Sequence, residues 1–166
     1  MRSRPRESRR RGGFTLVELL VVVVILAIAG AMVVPIISGM GTMEAMSAAR
    51  IISTDLEYAQ NVAITSQTPV TAQFDLVADS YRLSNASGLL KHPMTHADYL
   101  VDLRSQSDFD RLDIVSASFG GSQSVTFDEL GSPDNGGLVT VQGGPDIYRI
   151  EVSPVTGTIK VSRLGS

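Results

Sequence analysis

Residues Leu19–Ile37 form an uncharged apolar run of nineteen residues, and this stretch restricts the chain more than any other feature. A helix needs roughly 20 apolar residues to cross the hydrocarbon core of a bilayer. Six arginines stand within the first eleven positions (Arg2, Arg4, Arg6, Arg9, Arg10 and Arg11), with Glu7 the only acid there. Basic residues hold their flank on the cytoplasmic side, so the sequence predicts a single-pass chain whose C-terminal part is exported. A secretory signal peptide has the same basic start, and Ala27-Ile28-Ala29 resembles its cleavage site. Two features oppose that reading. The apolar run continues through Met32, Val33, Val34, Ile36 and Ile37, and Glu18 stands at its front.

A carboxylate at that position needs a physical reason. An unpaired charge at mid-helix costs about 2.5–3.5 kcal/mol on insertion scales. If the chain is cut after Gly13, Phe14 carries a free ammonium four residues before Glu18. In a staggered assembly the ammonium of one subunit meets Glu18 of the next. At ~4 Å and an effective dielectric near 20, that attraction is about 4 kcal/mol, enough to offset the cost of insertion. The alternative is that Glu18 lies close enough to the membrane interface to stay hydrated.

The segment Gly13-Phe14-Thr15-Leu16-Val17-Glu18-Leu19-Leu20, placed between a basic leader and a long apolar run, resembles the processing and methylation motif of type IV prepilins and type II secretion pseudopilins. The resemblance implies that a prepilin peptidase cuts between Gly13 and Phe14 and methylates Phe14, and that Glu18 guides assembly. It also implies the partners: other pilin or pseudopilin subunits, the peptidase, inner-membrane lipid and the assembly platform proteins. The fold it implies is α+β and pilin-like, with a long kinked helix packed on an antiparallel β-sheet domain. The chain then reads as a leader (1–13), a transmembrane and assembly helix (14–38), an amphipathic helix half (39–67) and a β-rich domain (68–166). The kink is expected at Pro35, which lacks a donor and clashes with the preceding turn, and Gly39 and Gly41 weaken the helix beyond it.

Past Gly41 the apolar residues Ala45, Ala48, Ile52, Leu56, Ala59 and Ala63 recur every three or four positions, widened by Ile51 and Val62. Glu44, Arg50, Asp55, Glu57 and Gln60 occupy the other side, so one face of an amphipathic helix is available to a sheet. Met43 and Met46 are read as part of that packing in preference to a partner-binding surface. Pro69 ends the helix. Strands are predicted over 70–76, 81–83, 112–115, 124–127, 137–141, 147–152 and 158–161, joined by turn residues such as Asn135-Gly136 and Thr156-Gly157. Residues 85–111 read as a polar loop with a short element near Tyr99–Leu103. Val125-Thr126-Phe127, Leu130-Gly131-Ser132-Pro133, Tyr148-Arg149-Ile150-Glu151-Val152 and Thr156-Gly157-Thr158-Ile159-Lys160-Val161 resemble the minor pseudopilin H of type II secretion and the FimT/FimU minor pilins. The family pattern has an arginine where Thr158 stands, so a role resting on that arginine is not carried over.

The composition argues against several other functions. Removing residues 1–13 leaves eight basic and sixteen acidic residues, a net charge of −8. Nonspecific nucleic-acid binding needs clustered cations, which this balance opposes. The chain has no cysteine, which excludes disulfides and thiol chemistry. His92 and His96 are four apart with Asp98 nearby, but Pro93 interrupts any helix between them, so a polar loop is expected in preference to a metal site. Asp128, Asp134 and Asn135 match turn chemistry better than a calcium loop. No nucleophile motif surrounds a serine, and neither catalysis nor a cofactor is implied. The expected function is that of a minor pseudopilin of a type II secretion system, acting in filament initiation or at the tip. The alternative is a minor type IV pilin in pilus assembly or DNA uptake.

Overall fold

The computed structural model describes residues 15–105 and 112–164, with the backbone alone for 31–42. Gly13 and Phe14 lie outside the described residues. The chain divides into two units, Met1–Ile37 and Ser38–Ser166. Helix α1 (Leu16–Ser66) contributes to both.

In the first unit, the side-chain oxygen of Thr15 accepts the Glu18 amide at 3.2 Å, and Glu18 lies in the first helical turn. This is the Thr-x-x-Glu pattern of a capping box, with the hydroxyl satisfying one of the helix's orphan donors. Every residue from Thr15 to Gly30 is exposed, including Leu16 at 82% and Leu26 at 65%. Pro35 lies within helical backbone. Its expected kink concerns residues 31–42, whose side chains lie outside the described residues, as do those of Gly39 and Gly41.

In the second unit the predicted stripe becomes the core. Ala45, Ala48, Ile52, Leu56, Ala59 and Ala63 are buried, Ala49 joins them, and Ile51 and Val62 pack at the margin. Five of these seven fully buried residues are alanines, which let the helix backbone approach the sheets closely. Met43 and Met46 do not join this core and are exposed, a correction to the packing expected of them. Gln67 takes a left-handed conformation (φ 51°), and Thr68 N donates to Ala63 O at 3.3 Å, closing the helix as a Schellman-type cap.

Nine strands follow among the described residues: β1 (Val70–Asp75), β2 (Ser80–Asn85), β3 (Gly88–Leu89), β4 (Leu100–Asp102), β5 (Leu112–Phe119), β6 (Ser124–Phe127), β7 (Gly137–Gly143), β8 (Asp146–Val152) and β9 (Ile159–Leu164). All the pairings are antiparallel. They build two sheets, one ordered β3-β2-β1-β6 with β4 also on β2, the other β5-β7-β8-β9. Burial alternates along β8 and most of β7, as expected of strands with one covered face. Phe74 stacks on Phe119 with ring centroids 6.0 Å apart, joining a strand of each sheet through the core. Gly137 starts β7 where the backbone of Ser118 and Phe119 leaves no space for a Cβ.

The described part of 85–111 is more ordered than its polar composition suggests. β3 and β4 both pair with β2 around an excursion held by Leu83 N to Tyr99 O (3.1 Å) and Tyr99 N to Leu90 O (2.7 Å).

Candidate functional site

The two structural features bearing on function are the exposed apolar helix with Glu18 in its first turn, and the polar contacts that lock the second half of α1 to the sheets. The sequence places Asp55 on the solvent side of the helix, and the structure corrects this. Tyr81 of β2 donates its hydroxyl to Asp55 Oδ2 at 2.5 Å, and Tyr99 donates to Oδ1 at 2.9 Å. Both rings are buried. Tyr99 also stacks on Tyr58, one helical turn from Asp55, at 5.4 Å, and the His92 ring lies against Tyr99 at 5.1 Å between centroids. One carboxylate of α1 therefore satisfies two phenols in the first sheet.

Burial pushes the Asp55 carboxyl above the usual carboxylate range, against the opposing pull of the two phenol hydrogen bonds and the charge of His92. Burial also pushes Tyr81 well above the usual phenol value, reinforced by the charge and hydrogen bond of Asp55, and Tyr99 rises for the same causes. Above about pH 10 the unfolded tyrosines ionise while the folded ones keep their protons. The stability these groups contribute is present below that value and is lost as pH rises beyond it, at about 1.4 kcal/mol per pH unit for each tyrosine. Urea denaturation between about pH 9 and 11.5 is expected to show this alkaline fall, and Tyr99→Phe is expected to remove one tyrosine's share of the slope. Asp55 acts with the same sign at low pH. Its folded form holds a proton more tightly than the unfolded form, so its own contribution weakens as pH rises through the window between the two values.

Gln60 is a second correction to the solvent-side expectation. Its side-chain amide donates to Gly131 O at 2.7 Å and to Thr156 O at 3.2 Å, so it clips the β6–β7 and β8–β9 connections to the helix.

The remaining sequence candidates have local tasks. His92 Nδ1 accepts the amides of Met94 (3.2 Å) and Thr95 (3.4 Å), while Asp98 pairs with Lys91 at 2.6 Å. Asp128 Oδ1 accepts the amides of Leu130 (2.9 Å) and Ser132 (2.8 Å). Asp134 Oδ1 accepts those of Thr126 (3.0 Å) and Asn135 (2.8 Å). These are turn-stabilising bonds. An open hollow of about 350 Å³ on the first sheet is bordered by Gln73, Asp75, Ser80, Arg82, Leu100 and Gln123, where Arg82 Nη2 donates to Gln73 Oε1 at 2.6 Å.

A helix that is apolar and exposed at its start, amphipathic later and packed there on antiparallel sheets defines the pilin-like class of subunits. Two family models agree with this. The prokaryotic N-terminal methylation motif matches residues 8–34, and type II transport protein GspH matches residues 48–157. The chain belongs to the GspH family of structural pseudopilin and pilin subunits. No curated protein sequence gives a significant match. Among solved structures, the minor pseudopilin EpsH from the type 2 secretion system of Vibrio cholerae is 15% identical, with a TM-score of 0.57, covering 74% of this chain and 99% of its own. The type IV minor pilin FimU of Pseudomonas aeruginosa is 17% identical, with a TM-score of 0.53, covering 73% of this chain and 90% of its own. At these identities the likeness speaks to the fold.

The methylation motif marks a membrane-anchored pilus-type subunit. Among the described residues no helix is long and apolar enough to cross a membrane. The apolar run Leu19–Ile37 continues into residues whose side chains are not among them.

Proposed function

We propose that this chain is a minor pseudopilin of a type II secretion system, cut after Gly13, N-methylated at Phe14, and active in initiating or tipping a filament that exports proteins. Before assembly it is held in the inner membrane as a single-pass subunit, with its N-terminus cytoplasmic, its C-terminal domain outside and Glu18 awaiting the ammonium of a neighbour. Its partners are other pseudopilins, the prepilin peptidase, inner-membrane lipid and the assembly platform. The observation that carries the reading is the start of α1. Sixteen consecutive residues, Thr15–Gly30, are exposed, nearly all apolar, with one carboxylate in the first turn. Such a surface needs lipid or neighbouring helices around it.

The likeness to FimU supports a second reading, a minor pilin of a type IV pilus. The filament physics is the same in both, and the proteins that co-purify from native membranes separate them: secretion components in the first case, pilus components in the second.

Mass analysis of the native protein tests the shared part. The expected mature chain begins at a methylated Phe14. Gly13→Val is expected to leave the precursor uncut, retaining the six arginines of the leader. A native chain beginning at Met1 or Gly30, or normal cutting of the valine variant, would overturn the processing assignment.

A further inference from the structure

The hollow of about 350 Å³ on the first sheet lies on its outer face, where the side chains of β1 and β2 turned away from the core are polar. Strand pairing sets two rows across it. Gln73 of β1 stands beside Arg82 of β2, and Arg82 beside Leu100 of β4. In the adjoining row Ser80 stands between Asp75 and Asp102. Phe74 and Tyr81 point the other way and are buried, with ring centroids 5.5 Å apart, so the core fixes the floor. The volume falls at the lower end of the range of small-ligand sites, about 300–1,000 Å³.

Arg82 is the cation of this hollow, and its partner is an amide. Nε and Nη2 both donate to Gln73 Oε1, at 3.0 and 2.6 Å. Among the described residues Arg82 makes no ion pair within 4.0 Å. An arginine offers five N–H donors in a fixed plane, so the two given to Gln73 leave three. These include a second parallel pair across Nη1 and Nη2, the geometry that grips both oxygens of a carboxylate. Gln73 thus holds the guanidinium in place without neutralising it. A ligand is spared the cost of ordering a long side chain. Gln123 and Ser80 add an amide and a hydroxyl at the border.

The acids of the adjoining row are occupied with their own turns. Asp75 Oδ1 accepts the amides of Val77 (3.0 Å) and Ala78 (3.1 Å), and Asp102 Oδ1 those of Arg104 (2.9 Å) and Ser105 (3.2 Å). Their charges still limit what can enter. A polyanion such as nucleic acid needs clustered cations and meets here one arginine backed by two acids. A single carboxylate reaches Arg82 and leaves the acids to one side. Leu100, 59% exposed, gives an apolar wall to the carbon chain that carries it. We propose that this hollow binds one peptide carboxylate, gripped by Arg82 and flanked by Leu100. A free C-terminus and an acidic side chain present the same planar group, and the test separates them. The proposal does not depend on the filament reading, since the hollow belongs to the folded second unit alone.

The full-length chain in detergent micelles is titrated to about 20 mM with acetyl-alanyl-alanine, because a ligand of this size is expected to bind near about 1 mM. Parallel titrations use its carboxamide, acetyl-alanyl-glutamate with an amidated terminus, and inorganic phosphate. The readout is the Nε–H resonance of Arg82, assigned by its loss in Arg82→Gln, together with the backbone amides of Gln73 and Leu100. The free acid is expected to shift all three and to bind about tenfold more tightly than the carboxamide. The tighter of the two acids identifies the source as terminal or side-chain. Arg82→Gln is expected to erase the difference between acid and carboxamide at the two backbone amides. Gln73→Glu is expected to lay a carboxylate of the chain itself on Arg82, weakening the acid about tenfold without lowering the thermal midpoint. Both changes are at exposed side chains. Equal binding of acid and carboxamide by the parent chain, a preference that survives in either variant, or shifts confined to other surfaces overturns the proposal. So does phosphate bound as tightly as the acid. None of these outcomes bears on whether Phe14 is methylated.

Discussion

Glu18→Ala is expected to be processed like the parent chain and to enter filaments poorly. On the proposed assembly, the variant loses an attraction of about 4 kcal/mol at each subunit junction, up to about 10³-fold in the incorporation equilibrium. The structure adds a second role that has to be separated from this one. Glu18 is the third residue of a helix capped by Thr15, where a carboxylate also complements the helix dipole by about 0.3–1 kcal/mol. Glu18→Gln preserves the reciprocal capping chemistry, because glutamine serves at that position, but it removes the charge. Quantifying the subunit in sheared filaments relative to the membrane pool distinguishes the two roles. Loss in both variants assigns the effect to charge. Normal incorporation of the glutamine variant would mean that capping suffices and that no ammonium is met.

Asp55→Ala is expected to lower the unfolding free energy by about 2–6 kcal/mol, because it strands two buried phenol hydroxyls at about 1–3 kcal/mol each. Both tyrosines are at most 3% exposed, so water does not readily replace the carboxylate. The cost belongs to the orphaned hydroxyls more than to the lost carboxylate, which is itself held in an unfavourable, desolvated setting. A triple variant, Asp55→Leu with Tyr81→Phe and Tyr99→Phe, is therefore expected to recover most of the loss, since replacing all partners with apolar groups of similar shape can be nearly neutral. Denaturant midpoints of the single and triple variants check both parts. A triple variant no more stable than Asp55→Ala would place the cost in the carboxylate.

Much of the second unit was readable because its signals are local. Ala45, Ala48, Ile52, Leu56, Ala59 and Ala63 repeat at helical spacing, and that spacing alone assigns their buried face. Strands β7, β8 and β9 alternate between turn residues, so their order as neighbours follows from the chain direction. The division into two sheets was not readable, because β1 pairs with β6 across the whole excursion that contains β2 to β5. The roles of Asp55 and Gln60 were lost for the same reason. The partners of Asp55 lie 26 and 44 residues away, and those of Gln60 lie 71 and 96 away, so each looks like an ordinary polar residue on a helix. The Thr15 cap is written in the Thr-x-x-Glu spacing, but the same Glu18 stands at the front of an apolar run, where its charge is the stronger signal. Gly13 and Phe14 rest on the motif alone.

Gln60 ties two surface connections to one point on the helix. Leu130 and Val155, 83% and 75% exposed, project from those two connections. Neither projection is free to swing independently. A neighbour arriving at this end of the domain finds two apolar knobs at a preset separation and spends little entropy arranging them.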